Sequence, residues 1–313
     1  MNNKSNKIKK SKVKLVEIND NNSKQISARQ TNNTQLNLFS WQTEELAKGW
    51  QTLSDLDFNK AEKIFIKVLK QNKEDEEANI ALKIISYWRE IFEKYNKLQD
   101  INKIQFLFSE LENFKFPKAW GTMLFKDALI QEIISIAQKA DVFFIKNDIT
   151  ISDMFLMINK PEYAENEILK YLNTNKASAS VIFKLANVQY ILAKHTESRQ
   201  NYMKALMLNP NEINPEITNN RTLAEIVKKY SAEMTPAWGW IYSQLPMIEL
   251  NANELYYKSK RGLYAYYLLW MSEKSSVEKN FKQMVNYRKL LKEKEPELYD
   301  AYFELLKKRK RDF

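Results

Sequence analysis

Cysteine is absent from this 313-residue chain. That excludes disulfides, thiolate metal sites and cysteine nucleophiles. Histidine occurs once, at His195. A single imidazole with no thiol excludes the common zinc sites and gives a histidine-based triad little support. Glycine is almost as scarce, with Gly49, Gly121, Gly239 and Gly262 making up the four. These positions form no phosphate-cradling loop of Walker or dinucleotide type. They are also too few for the tight turns of a β-sandwich or an α/β fold of this length. Long apolar runs are missing too. The stretch "LYAYYLLWM" at 263–271 is too short to span a bilayer, and the N-terminus holds no apolar run of signal-peptide length. The expectation is an all-α, soluble, cytoplasmic chain with no cofactor and no catalytic residues.

What is present points to helices. Hydrophobic residues make up 44% and charged residues 28%, so most of the chain should fold. The net charge of +10 is unevenly spread, with +6 in residues 1–31, +3 in residues 301–313 and +1 between them. The basic character therefore belongs to the ends and the body is near neutral. Residues 1–38 are rich in Lys, Asn and Ser with few large apolar side chains, which predicts a disordered basic segment. Residues 39–313 are then the folded domain.

Within that domain, apolar residues recur at helical spacing. Phe58, Ala61, Ile64, Phe65, Val68 and Leu69 form one face, and Asp57 stands where an N-cap belongs. Similar stripes continue to residue 308, broken at Asn, Asp and Pro clusters such as "INKPE" and "LNPNEINPE". The stripes also repeat. Ala164, Ile168 and Tyr171 stand 34 residues before Ser198, Tyr202 and Ala205. A further block at 45–72 shows Gly49, then Ala61, Phe65 and Val68.

This pattern resembles the tetratricopeptide repeat (TPR), a helix pair of 34 residues. Leu185 and Ala186 match its first helix, Ser198, Tyr202 and Ala205 its second, and Pro210 its terminator. Gly49, Ala61 and Phe65 match an earlier copy, although Lys73 replaces the proline. The clearest repeats are 42–75, 145–178 and 179–212; residues 76–144 and 213–313 depart from the pattern. The resemblance implies a right-handed superhelix of stacked antiparallel helix pairs, because one pair cannot bury its own apolar face but neighbours can bury each other's. It also implies a scaffold or adaptor whose groove binds a protein or peptide. The groove positions it assigns are Trp50, Leu53, Asp153, Leu156, Met157, Phe183, Asn187 and Tyr190. Asn187 stands where chaperone-binding members carry their first clamp asparagine, but Phe183 replaces the basic partner.

Other features carry less chemistry. His195 falls in the turn between the helices of the clearest pair, with Thr196 as an expected N-cap. The acidic run "EDEE" at 74–77 reads as a helix start, where carboxylates favour the positive end of the dipole. "PKAWG" at 117–121 and "PAWG" at 236–239 are either an echo of duplication, with each Trp anchoring a helix start, or a coincidence. The segment 256–270 interleaves tyrosines with Lys258, Lys260 and Arg261. Together with the basic tails it supports a second class of function, nucleic-acid binding through base stacking. Tyr257, Tyr264, Tyr267, Leu268 and Met271 nevertheless fall at helical spacing, which reads as a packed stripe. Finally, Lys307, Lys308, Arg309, Lys310 and Arg311 end a last amphipathic helix, where they cap its dipole or contact an anionic partner.

Overall fold

The structure is a computed structural model that describes residues 43–250 and 254–311. The expected disorder of residues 1–38 lies outside the described residues. Among the described residues the chain is all-α apart from one small hairpin. Its helices are α1 (43–54), α2 (Phe58–Gln71), α3 (Glu76–Tyr95), α4 (Asp100–Asn113), α5 (Thr122–Lys139), α6 (Ile151–Met157) and α7 (Pro161–Thr174). They continue as α8 (Ala179–Ile191), α9 (His195–Leu208), α10 (Arg221–Ile241), α11 (Glu254–Lys258), α12 (Arg261–Val277), α13 (Phe281–Lys294) and α14 (Pro296–Arg311). Among the described residues no helix is long and apolar enough to cross a membrane.

The chain forms two compact units. The first takes the residues up to Ser86 with Ala119–Gly121, and the second takes Tyr87–Lys118 with Thr122 onward, so the boundary falls inside α3. In the first unit Asp57 caps α2 by accepting the Lys60 N–H at 3.0 Å. The buried face of α2 is Ala61, Ile64, Phe65 and Val68, the i, i+3, i+4, i+7 set of an amphipathic helix. Gly49 on α1 lets that face come close: a Cβ there would stand 2.7 Å from the Phe65 ring. Trp50 is fully buried, edge-on to Phe65 with centroids 5.5 Å apart. Gly121 lies on its indole, where a Cβ would meet Cγ at 1.9 Å. Glu77 ties the unit together, accepting the Trp50 indole N–H at 3.2 Å and the Trp120 backbone N–H at 2.9 Å. The acidic run is thus more than a solvated helix start. Asp75 also accepts the Ala78 N–H at 2.8 Å.

In the second unit helices pack largely on their sequence neighbours: α4 on α5, then α5 on α6 and so on through α9 on α10, then α10 on α12, α12 on α13 and α13 on α14. Trp88 is fully buried among Phe114, Phe116 and Phe125. Residues 145–178 do not open with a full helix. They begin with an antiparallel hairpin, Phe144–Lys146 against Ile149–Thr150, turned at Asn147 with a left-handed φ of 49°. The seven-residue α6 follows. Helices α8 and α9 meet through small residues: Ala186, Ser198 and Ala205 are fully buried, and the Ser198 hydroxyl donates to the Ala186 carbonyl at 2.8 Å. The N-cap of α9 is Lys194, not Thr196, and His195 is its first residue, edge-on to Tyr190.

Helix α10 bends at Ser231, whose φ of 70° and ψ of 158° are non-helical. Pro236 follows, where it removes a backbone donor. The Trp238 indole stacks on Tyr230 across the bend at 3.9 Å. The two Ala-Trp-Gly segments have unlike roles: Trp238 is buried, whereas Trp120 is 64% exposed and anchors no helix.

Candidate functional site

The groove positions given by the TPR resemblance are mostly occupied by the protein itself. Trp50, Leu53, Phe183 and Asn187 are buried and offer no surface to a partner, which corrects their assignment as groove residues. In the first unit Trp50 is taken by Phe65, Glu77 and Gly121. On α8 the occupant is the segment that follows α9. Phe183 shares a core with Ile213 and Leu223. The Asn187 Oδ1 accepts the Tyr202 hydroxyl at 2.6 Å and the Asn219 N–H at 3.0 Å, and the Asn219 amide donates back to the Asn187 carbonyl at 3.4 Å. Asn187 is therefore the centre of a buried node that clips three pieces of chain together. Burial also raises the pKa of the Tyr202 hydroxyl and keeps it a donor.

Asp153 is also committed. Its carboxylate accepts the Thr150 N–H at 2.7 Å, which closes the start of α6, and receives the Lys184 ammonium at 2.6 Å. Leu156 and Tyr190 are half-buried and Met157 is exposed. These three, with the ion-paired and half-buried Asp153, are the groove positions that retain accessible surface.

An open site lies one helix earlier in the chain. A cleft of about 300 Å³ runs between the end of α5, the start of the hairpin and α7. Its wall is aromatic: Phe143 stacks on Tyr171 with centroids 4.1 Å apart, and the exposed Phe144 meets Tyr171 edge-on at 5.6 Å. The rim is polar and already paired. Lys170 bonds Asp141 at 2.9 Å, and Gln138 donates to Glu167 at 2.6 Å. The Lys170 contact holds the Asp141 carboxyl below its usual pKa and raises that of Lys170, so both stay charged across the neutral range. This arrangement suits an apolar side chain laid against the ring wall, with polar groups at the edge to orient it. Sequence reading passed over Phe143 and Phe144. The available signal was an adjacent aromatic pair just before the "KND" turn.

Of the tyrosine-rich segment, Tyr257, Tyr266, Tyr267 and Leu268 are buried, and Tyr257 stacks on Tyr267. These rings face the core, where they cannot receive bases. Arg261 is clamped by both oxygens of Glu295. In the C-terminal run, Lys307 pairs with Glu304 at 2.7 Å and Arg309 with Glu273 at 2.9 Å, while Lys308 is exposed. Lys310 and Arg311 continue the helix. Among the described residues no cluster of acidic or imidazole side chains could hold a metal ion. No family model, curated protein or solved structure matches this chain.

Proposed function

We propose that this chain is a non-catalytic cytoplasmic scaffold of TPR-like helix pairs, stacked as a right-handed superhelix, that binds an apolar segment of another protein. The observation that carries this reading is the aromatic cleft at Phe143, Phe144 and Tyr171, with its self-paired rim. The fully buried small residues Ala164, Ala186, Ser198 and Ala205 support the helix-pair part of it, since close approach of paired helices is what the repeat requires. The contact is placed at this cleft rather than along α8, because the α8 face carries residues 213–223.

The test is to replace Phe144 by a photo-reactive phenylalanine analogue and cross-link in the native cell. Phe144 is 41% exposed, so the replacement leaves the core intact. The expected result is an adduct with one defined protein, lost when Lys170→Glu reverses the rim charge. Adducts with RNA, or no adduct, would count against the reading.

A further inference from the structure

The turn between α12 and α13 projects apolar side chains into solvent. Val277 is 83% exposed and Phe281 63%, with Lys279 between them in a left-handed conformation at φ 59°. Val285, one turn along α13, is 60% exposed. An isolated exposed apolar residue needs no explanation, but here three follow one another at four-residue steps at and beside a protruding turn. Lysines frame them. Lys279, Lys282 and Lys308 are exposed and hold no ion pair among the described residues. The C-terminal basic run reaches the same end of the hairpin, since Arg309 bonds Glu273, which lies on α12 one turn before Val277. The acidic groups there are largely answered: Glu273 by Arg309, Glu304 by Lys307, and Glu278 by Lys274 at 4.0 Å.

We infer that this tip is a peripheral docking surface for a membrane bearing anionic phospholipids. The uncompensated lysines supply attraction to headgroups, and Val277 and Phe281 supply side chains that enter the headgroup–acyl boundary. The geometry favours a bilayer over the other anionic partners. The patch offers a single ring, Phe281, between two valines, which is too little for successive bases to stack on. A turn that exposes most of its apolar surface would need a matching pocket in a protein partner, whereas a fluid interface accommodates it without one.

The experiment is vesicle co-sedimentation of the full chain with phosphatidylcholine alone and with phosphatidylcholine containing phosphatidylserine. Two variants are compared, Lys279→Gln/Lys282→Gln/Lys308→Gln and Val277→Ser/Phe281→Ser. All five side chains are exposed, so unchanged helical dichroism is expected in both. The parent should bind the anionic vesicles selectively. The lysine variant should lose roughly a hundred-fold at about 0.1 M salt, about five-fold per cation, and the gap should close near 1 M. The apolar variant should lose about ten-fold at either salt. Binding by both variants at the parental level would overturn the proposal and assign attraction to the basic residues 1–31. Failure to bind vesicles, with lysine-dependent binding of a short RNA or of polyglutamate, would overturn it in favour of those partners.

Discussion

At the scale of single residues, the Asn187 node shows how one side chain can decide whether a face is open. Its Oδ1 holds two donors, the Tyr202 hydroxyl and the Asn219 N–H. Removing an acceptor that serves the buried Tyr202 hydroxyl and the part-buried Asn219 N–H costs more than removing one donor that leaves the acceptor partly satisfied. Tyr202→Phe is therefore expected to lower stability by about 1 kcal/mol, and Asn187→Ala by about 2–3 kcal/mol, read by chemical denaturation. Equal losses would show that the node is not shared as described. That Asn187 is polar and at helical spacing was legible in the sequence; that it is buried was not. Its cover comes from residues 213–223, beyond the end of its own helix pair, and no local pattern announces that return. Asp57 is the contrasting case, because a cap depends only on the next three residues.

At the scale of elements, α10 is held in a conformation that its sequence does not favour. Ser231 occupies a region of backbone space that is essentially reserved for glycine. Such a position costs about 1–3 kcal/mol, against about 0.5–1 kcal/mol for the added freedom of glycine in the unfolded chain. Ser231→Gly should therefore stabilise the protein by about 1 kcal/mol, and Ser231→Ala should not. A lower melting temperature for the glycine variant would contradict the strain. The helix stripes themselves were readable, since α2 buries the face that its apolar spacing marks. The hairpin before α6 was not, because its strands cover five residues and carry too little alternation to stand out from a helix end.

At the scale of the whole molecule, several buried tyrosines shape the response to alkali. Tyr95, Tyr202, Tyr266 and Tyr302 all have raised pKa values with burial as the first cause, and Tyr302 is pushed up to about 12. For a phenol a raised folded pKa means that folding favours the neutral form. The stability it contributes is complete below the unfolded value near 10 and is lost as pH rises beyond it. Stability should fall between pH 10 and 12, and Tyr302→Phe should make that fall shallower while lowering stability at neutral pH. A parallel pH profile in the variant would exclude Tyr302 as a contributor. Tyr302 donates to Glu273, and it shares with Ser272 and Arg288 a junction of α12, α13 and α14. The bonds of this junction span up to 30 residues, whereas those joining α8 to α9 span 12 to 15. Closing a longer loop carries a larger entropic cost before any contact rewards it. In time, therefore, the α8–α9 hairpin is expected to be set before the contacts that bring α14 onto α12.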